Sequence, residues 1–183
     1  MSNLTEKQLK REKIFEGHVL ELVRDTVLLP KGTEATREMC LHVGAVAIIP
    51  LLSDGRVIME RQYRYPHSRV FLEIPAGKLD SKDEDPTLAA KRELREETGA
   101  LAERWTFLGE LDTTPALIDE KIRMYLAEDI KFGERELDSD EFLDVELIPL
   151  KELYSMVMSG EIKDAKTQVA VLKCAAYHPE FIK

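Results

Sequence analysis

A long apolar segment in the first third of the chain predicts a buried strand. Residues 43–52 are apolar almost without interruption, which is typical of a strand covered on both faces of a sheet. Ser53, Asp54 and Gly55 follow as a hairpin signal, so residues 56–64 are predicted to return as the partner strand. The same strand character recurs later, at residues 70–74, 105–111, 122–127 and 142–147.

Three other segments have the features of helices. Asp85 is a good N-cap, Pro86 suits the first helical position, and no helix breaker follows until Gly99, which predicts a helix over residues 86–98. Two more helices are predicted near the end of the chain, at residues 149–159 and 164–177.

The N-terminal part of the chain has a different pattern. Residues 1–17 are polar and mixed in charge, whereas residues 18–29 and 36–42 read as two strands joined by a turn. We therefore predict an antiparallel β appendage at residues 1–42. An α/β domain with a mixed sheet and helices on both faces is predicted at residues 43–183.

Composition and charge exclude several classes of protein. The chain of 183 residues is 44% hydrophobic and 33% charged, as in an ordinary soluble globular protein. Its net charge of -9 offers no basic patch for nucleic acid, and no apolar segment is long enough to span a membrane. Cys40 and Cys174 give no disulfide framework, so we expect a reduced, cytoplasmic protein.

The predicted helix at residues 86–98 carries three acids on one face. Glu96 and Glu97 lie three and four residues after Glu93, so both are its neighbours one turn away. Like charges at this spacing cost roughly 0.2–0.5 kcal/mol per pair, which favours a bound cation as the reason for clustering them. An all-oxygen ligand set favours Mg²⁺ or Mn²⁺ over zinc or copper.

The sequence around the acids decides between a cation site and a solvated helix face. Such a string of charges is also typical of an exposed helix, where neighbouring Lys and Arg residues balance the acids. Here, however, the strand at residues 70–74 continues through residues 75–77 into a loop before the helix. This strand-loop-helix unit can bring a backbone carbonyl close to the acids.

The same unit resembles the signature of the Nudix hydrolases. That signature consists of Gly, five residues, Glu, seven residues, Arg-Glu-aliphatic, one residue, Glu-Glu, one residue, Gly and an aliphatic residue. The chain matches it in register from Glu84 to Gly99, with six residues between Gly77 and Glu84 and with Ala100 in the last place. The resemblance implies the Nudix α/β/α sandwich with a mixed sheet, preceded here by the small N-terminal antiparallel appendage.

The resemblance also implies roles for individual residues. Members of the family bind metals through the acids of this core, which implies Glu93, Glu96 and Glu97 as ligands of Mg²⁺, for which Mn²⁺ may substitute, with the backbone carbonyl of Ala76 as a further ligand. Arg92 is also predicted to be a catalytic residue. It is expected to brace the loop through Glu84 rather than to touch substrate.

Three places are similar to the ADP-ribose pyrophosphatase branch of the family. Gln62-Tyr63-Arg64, followed by the segment Glu73-Ile-Pro-Ala-Gly, implies that Arg64 and Glu73 belong to the substrate site, with Arg64 suited to a diphosphate oxygen. Pro115 stands where the branch commonly has Ser-Pro-Gly, and its loop, which includes Glu120, is predicted to contact substrate. The appendage resembles the domain through which the branch forms homodimers and binds adenosine, so Arg37 is predicted to face the ligand.

A catalytic base is expected from an acidic loop near the end of the chain. Asp140-Glu141-Phe142 is similar to the branch's sequence at its base, which implies Glu141 in that role, with Asp138 and Asp140 as alternatives. The expected reaction is hydrolysis of ADP-ribose or a related nucleoside diphosphate sugar to AMP and a sugar phosphate. Two alternatives remain open: a substrate such as a dinucleotide or a GDP- or UDP-sugar, and a regulator that binds ADP-ribose without turnover.

Overall fold

The computed structural model describes residues 3–136 and 142–183. These residues fall into two compact units. The first comprises Met1–Val43 and Asp112–Glu120, and the second comprises Gly44–Leu111 and Lys121–Lys183.

The first unit is built on a three-stranded antiparallel sheet. Its strands, in the spatial order β1-β2-β3, are β1 (Lys7–Glu16), β2 (Glu21–Leu28) and β3 (Glu34–Leu41). The predicted pairing of β2 with β3 is confirmed. Strand β1 was not predicted, because all ten of its residues are exposed and its sequence therefore has no apolar period. Cys40 at the end of β3 forms a parallel bridge with Ile118 of the segment at residues 112–120.

The second unit contains two sheets and three helices. Its strands are β4 (Ala45–Pro50), β5 (Arg56–Arg64), β6 (Arg69–Glu73), β7 (Ala76–Lys78), β8 (Ala100–Asp112), β9 (Lys121–Phe132) and β10 (Leu143–Pro149). Its helices are α1 (Pro86–Thr98), α2 (Leu150–Ser159) and α3 (Ala165–Tyr177). One sheet has the order β7-β4-β9-β8 and the other has the order β10-β5-β6.

The central strand β4 explains the layered architecture of this unit. It runs antiparallel to β7 and parallel to β9, so the sheet is mixed. Val46 and Ile48 of β4 pack in one apolar cluster with α1, whereas Ala47 and Ile49 pack in another with α2 and α3. Because the strand is buried on both faces, its sequence is continuously apolar. The predicted α/β fold with helices on both faces is confirmed.

The predicted hairpin between β4 and β5 is wrong. Apart from an isolated bridge between Leu51 and Val57, β5 pairs with β10 and β6. The reason is that β7 and β9 already occupy both edges of β4, so the turn at residues 53–55 leads the chain into the other sheet.

Strands β8 and β9 are also longer than predicted. Within the described ranges, no helix has the length and apolar character needed to cross a membrane.

Candidate active site

Helix α1 has well-defined ends that fix the direction of its side chains. The Asp85 carboxylate accepts hydrogen bonds from the backbone N–H groups of Thr87 and Leu88, at 2.7 and 3.4 Å. At the other end Gly99 takes a φ of 70° and donates its N–H to the carbonyl of Arg95 at 2.8 Å. The apolar face between these caps is buried through Ala89, Ala90 and Leu94. The predicted helix at residues 86–98 is confirmed.

Two of the three clustered acids are buried against the strand that precedes the helix. Glu93 and Glu97 are only 7% and 2% exposed. The backbone N–H of Ala76 donates to Glu97 Oε2 at 3.0 Å, and a Cβ on Gly77 would stand 2.0 Å from the carboxyl carbon of Glu93. Only glycine allows this close approach. The extra residue before Glu84 therefore does not separate Gly77 from the acids.

Arg92 bridges the acids to the loop in front of the helix. Its Nη1 lies 2.8 Å from Glu93 Oε1 and 3.1 Å from Glu96 Oε2, while its Nη2 lies 3.4 Å from both Glu84 Oε1 and the carbonyl of Lys78. Burial lowers the pKa of Arg92, but the charges and hydrogen bonds of Glu93 and Glu96 raise it well above its ordinary value. Arg92 is thus a permanent cation that holds the loop and the acids together.

A second charged cluster lies at the end of β6. Arg64 donates from Nε and Nη2 to the two carboxylate oxygens of Glu73, both at 2.9 Å, and Lys166 of α3 also contacts Glu73 Oε2. Burial raises the pKa of Glu73, which is 3% exposed, but the two cations lower it below its ordinary value overall. The pKa of Arg64 is raised by its hydrogen bonds to Glu73 and by the negative charges of Asp164 and Glu97. Glu97 of α1 is thus one of the negative charges that act on Arg64.

The remaining predicted substrate residues belong to the first unit. Arg37 Nε donates to Glu6 Oε2 at 2.9 Å in an exposed ion pair. Glu120 Oε2 accepts from Thr113 Oγ1 at 2.9 Å, and its Oε1 lies 3.6 Å from His42 Nδ1. Pro115 is exposed in a turn of the same loop. Their roles toward substrate stay predictions.

The predicted catalytic base, Glu141, lies outside the described residues, as do Asp138 and Asp140. The described residues on either side are anchored. Arg135 Nη2 donates to the carbonyl of Leu143 at 2.9 Å, and the N–H of Glu136 donates to the carbonyl of Glu96 at 3.2 Å.

Comparison with known proteins shows the family to which the chain belongs. A family model described as the NUDIX domain matches residues 41–169. The chain belongs to the NUDIX family. ADP-ribose pyrophosphatase of Bacillus subtilis (strain 168) is 42% identical over 173 residues, which are 93% of this NUDIX chain and 93% of that protein. Methanol dehydrogenase activator of Bacillus methanolicus is 42% identical over 168 residues, with 91% and 90% covered.

Two further comparisons support the same family and fold. ADP-ribose pyrophosphatase of Mycobacterium tuberculosis (strain ATCC 25618 / H37Rv) is 39% identical over 166 residues, which cover 90% of this NUDIX chain and 80% of that protein. The crystal structure of an ADP compounds hydrolase matches with a TM-score of 0.85 and 22% identity over 98% of each chain. At that identity the match shows the fold, including the N-terminal antiparallel strands.

NUDIX hydrolases use divalent cations, and the residues of α1 fit such an ion. Within the described part of the chain, no three His, Cys, Asp or Glu side chains stand in position to hold a metal ion. Arg92 lies against both Glu93 and Glu96. The fit rests on the donors themselves: three carboxylates on one helix face, two of them buried, next to the backbone at Ala76. Hard oxygen donors such as these suit Mg²⁺ or Mn²⁺. Their role as ligands stays a prediction.

Sequence reasoning missed the residues of α3 that hold the second cluster. Lys166 is 9% exposed, and Thr167 Oγ1 accepts from the backbone N–H of Ile74 at 3.0 Å. A signal was present, because Lys166 shares a helix face with Ala170 and Cys174, four and eight residues later, and both of these are buried. A lysine on the apolar face of a helix requires a buried partner, which here is Glu73.

A separate cavity of about 160 Å³ lies beside β6, lined among others by Arg61, Leu72, Met156 and Ile162. None of its lining residues belongs to either charged cluster. The chemistry of the candidate site rests on the acids of α1, not on this cavity.

Proposed function

We propose that this NUDIX hydrolase cleaves the pyrophosphate bond of ADP-ribose, or of a closely related nucleoside diphosphate sugar, in the presence of Mg²⁺ or Mn²⁺. The products would be AMP and a sugar phosphate. The observation that carries this proposal is the buried pair Glu93 and Glu97 packed on the Ala76-Gly77 backbone, in a chain 42% identical to an ADP-ribose pyrophosphatase over nearly its whole length.

Each part of the site has a physical role in this reaction. Glu93, Glu96 and Glu97 would hold the divalent cation, which when bound supplies charge neutralisation on the diphosphate and a lower pKa for bound water. The Ala76 N–H keeps the Glu97 carboxylate oriented. Arg64 Nη1 makes no hydrogen bond with any described residue, so its donors are available to a diphosphate oxygen.

The proposed base is Glu141, because the glutamates that hold a cation have their lone pairs engaged. Glu141→Gln should lower kcat by roughly a hundredfold or more and leave substrate binding nearly intact. Asp138→Asn and Asp140→Asn are the matched variants. If either of these abolishes turnover while Glu141→Gln stays within a few fold of the parent, the base is assigned to the wrong residue.

The proposed function is tested by incubating the purified protein with a panel of nucleoside diphosphate derivatives and identifying the products by mass. The panel should contain ADP-ribose, ADP-glucose, ADP-mannose, a GDP-sugar, a UDP-sugar and a dinucleotide. We expect ADP-ribose to give AMP and ribose phosphate with the highest kcat/KM, and we expect turnover to require the divalent cation. Full activity in excess EDTA would contradict the proposal. Preference for a dinucleotide or a GDP- or UDP-sugar would show that this compound, and not ADP-ribose, is the substrate.

A second candidate is a regulator that binds ADP-ribose without turnover. The similarity to a protein named methanol dehydrogenase activator favours this candidate. The complete set of acids on α1 speaks against it, because a binding protein has no need for buried carboxylates that cost stability. Tight ADP-ribose binding without product, in the assay above, would favour the regulator.

The first unit supports a proposal on assembly, in which residues 1–42 serve as a dimerisation appendage and residues 43–183 as the catalytic domain. Strand β1 is exposed along its whole length, yet it carries the apolar side chains of Leu9, Ile14 and Phe15. Exposed edge strands with apolar side chains are usually covered by a partner, and we propose a second copy of this chain in a homodimer. Light scattering that gives the mass of a monomer would contradict this.

The two free thiols, Cys40 and Cys174, support a cytoplasmic location.

A further inference from the structure

The start of α3 places a buried lysine near Arg64, the proposed diphosphate contact. Lys166 is 9% exposed, and its Nζ contacts Glu73 Oε2 and lies 3.1 Å from Asp164 Oδ1. The same Glu73 receives both hydrogen bonds from Arg64. One carboxylate is thus shared by two cations, of which only Arg64 keeps a partly exposed side chain.

We propose that Lys166 is a positioning residue that sets the orientation of the Arg64 guanidinium through Glu73 and the net charge of the side chains around it, and thereby determines how tightly the site binds a diphosphate. The inference rests on the proposed function, since that function assigns Arg64 to the diphosphate. Lys166 itself does not need to touch substrate.

The charge balance of the cluster is the first argument. Arg64 and Lys166 carry two positive charges, and Glu73 and Asp164 carry two negative charges, so the four groups together are neutral. Without Lys166 the same groups would carry a net charge of one negative unit next to an anionic substrate. Like charges in a partly buried site repel much more strongly than in water, so diphosphate binding should weaken.

The fixed geometry of α3 is the second argument. The Asp164 carboxylate caps the helix by accepting from the N–H of Thr167 at 2.9 Å and from Thr167 Oγ1 at 2.6 Å. Thr167 Oγ1 in turn accepts from the N–H of Ile74, the residue directly after Glu73. The backbone on both sides of the Lys166–Glu73 contact is therefore held in place, and the Lys166 side chain stands at a defined position rather than on a mobile surface.

The cluster is also connected to the acids of α1 through a short stretch of backbone. Ile74 is followed by Pro75 and by Ala76, whose N–H binds Glu97. Arg64 lies in the field of Glu97 as well. Lys166 is thus one of the side chains that set where the diphosphate contact lies relative to the predicted cation site.

A purely structural role makes a different prediction from a positioning role. If Lys166 only neutralises a buried acid, its removal lowers stability and reduces the amount of active protein, without a selective change in KM. If Lys166 orients Arg64, its removal weakens a contact present in both ground and transition states, which raises KM and leaves kcat nearly unchanged.

The test compares Lys166→Met with Lys163→Met in ADP-ribose hydrolysis. Lys163 is an exposed lysine three residues earlier, and it forms no ion pair with the described residues. We expect Lys166→Met to raise KM roughly tenfold with kcat within about threefold of the parent, and Lys163→Met to leave both within about twofold. An unchanged KM in Lys166→Met, or a fall in kcat at constant KM, would overturn the inference.

A double-variant cycle tests whether the effect passes through Glu73. In a Glu73→Gln background no carboxylate links Lys166 to Arg64, so adding Lys166→Met should raise KM clearly less than the roughly tenfold expected in the parent, and the remaining rise reflects only the lost positive charge. Glu73→Gln also removes the buried negative charge that Lys166 neutralises, so the double variant is expected to keep its fold. If Lys166→Met alone does not fold, Lys166→Gln takes its place in the cycle with the same expected results. An equal tenfold rise in both backgrounds would overturn the proposed route. A wild-type protein that hydrolyses neither ADP-ribose nor another nucleoside diphosphate sugar contradicts the proposed function, whereas hydrolysis with an unaltered KM in Lys166→Met contradicts only this inference.

Discussion

Helix α1 and the sheet β1–β3 are both rich in charged residues, but they use those charges differently. In the sheet, ion pairs such as Arg24–Glu38 are exposed, and the buried Asp25 is bound at both oxygens by the guanidinium of Arg11, at 2.8 and 2.7 Å. In α1, by contrast, Arg92 is shared between Glu93 and Glu96, and Glu97 is buried beside them on the same face.

This difference predicts which charges are structural and which are functional. An exposed ion pair contributes about 0–1 kcal/mol, and a buried acid that is fully paired with one arginine needs no further ligand. Two buried acids one turn apart repel each other and lower stability, which is tolerated where function requires it. The predictions below test this contrast, from the largest expected effect to the smallest.

The largest effect is expected at Glu97. Glu97→Gln keeps the shape of the side chain and an acceptor for the Ala76 N–H, but it removes the charge that would hold a cation. We expect kcat to fall on the order of a thousandfold, which corresponds to about 4 kcal/mol, with an unchanged circular dichroism spectrum. The matched control is Glu38→Gln in the sheet, which should stay within about twofold of the parent. A Glu38→Gln variant as impaired as Glu97→Gln would remove the contrast between the two regions.

The second prediction concerns the apolar face of α1. Leu94 is fully buried between α1 and the sheet, whereas Leu9 of β1 is 46% exposed. Leu94→Ala should lower the free energy of unfolding by about 2–5 kcal/mol, because it leaves a cavity in a packed core. Leu9→Ala should change it by less than about 0.5 kcal/mol in a monomer. Urea titration measures both, and a cost at Leu9 equal to that at Leu94 would show that β1 is covered in solution.

The same two regions show what could be predicted from the sequence. Helix α1 was predicted to the residue because its ends are set by local chemistry at Asp85, Pro86 and Gly99. Strand β1 was missed because its residues are held by backbone pairing with β2 and not by a buried face. The predicted β4–β5 hairpin was wrong because the choice of strand partner depends on which other strands reach β4, which no local signal records.

The candidate site shows the same limit. The clustering of Glu93, Glu96 and Glu97 follows from a spacing that can be read along one helix. The nearness of the preceding backbone to the acids was expected from the strand-loop-helix unit and from the family resemblance. Lys166 lies 93 residues after Glu73, so its role depends on the packing of α3 against the end of β6. Only the tertiary structure brings these two residues together.

The third prediction tests the close approach between Gly77 and the acids. In Gly77→Ala the new Cβ would stand 2.0 Å from the carboxyl carbon of Glu93, so either the backbone or the carboxylate must move. We expect kcat/KM to fall roughly a hundredfold and stability to fall by about 1–3 kcal/mol. Gly133→Ala is the control, since its Cβ would meet the nearest atom at 3.5 Å. Equal activity in the two variants would show that Glu93 can move away from Gly77 without loss.

The smallest effect is expected in the pH dependence of stability at Glu73. Burial raises the pKa of this carboxyl, but Arg64 and Lys166 lower it below its ordinary value overall. A group with a depressed pKa in the folded state contributes stability above its unfolded pKa, about 4.3 for Glu, and loses that contribution as the pH falls through its folded pKa. The loss of unfolding free energy between about pH 5 and pH 3 should therefore be smaller in Glu73→Gln than in the parent. The control is Glu38→Gln in the sheet β1–β3, which should lose as much unfolding free energy over this range as the parent does. Urea titrations at both pH values measure this difference. If Glu73→Gln loses as much unfolding free energy as the parent between these pH values, ion pairs elsewhere in the chain dominate its acid unfolding.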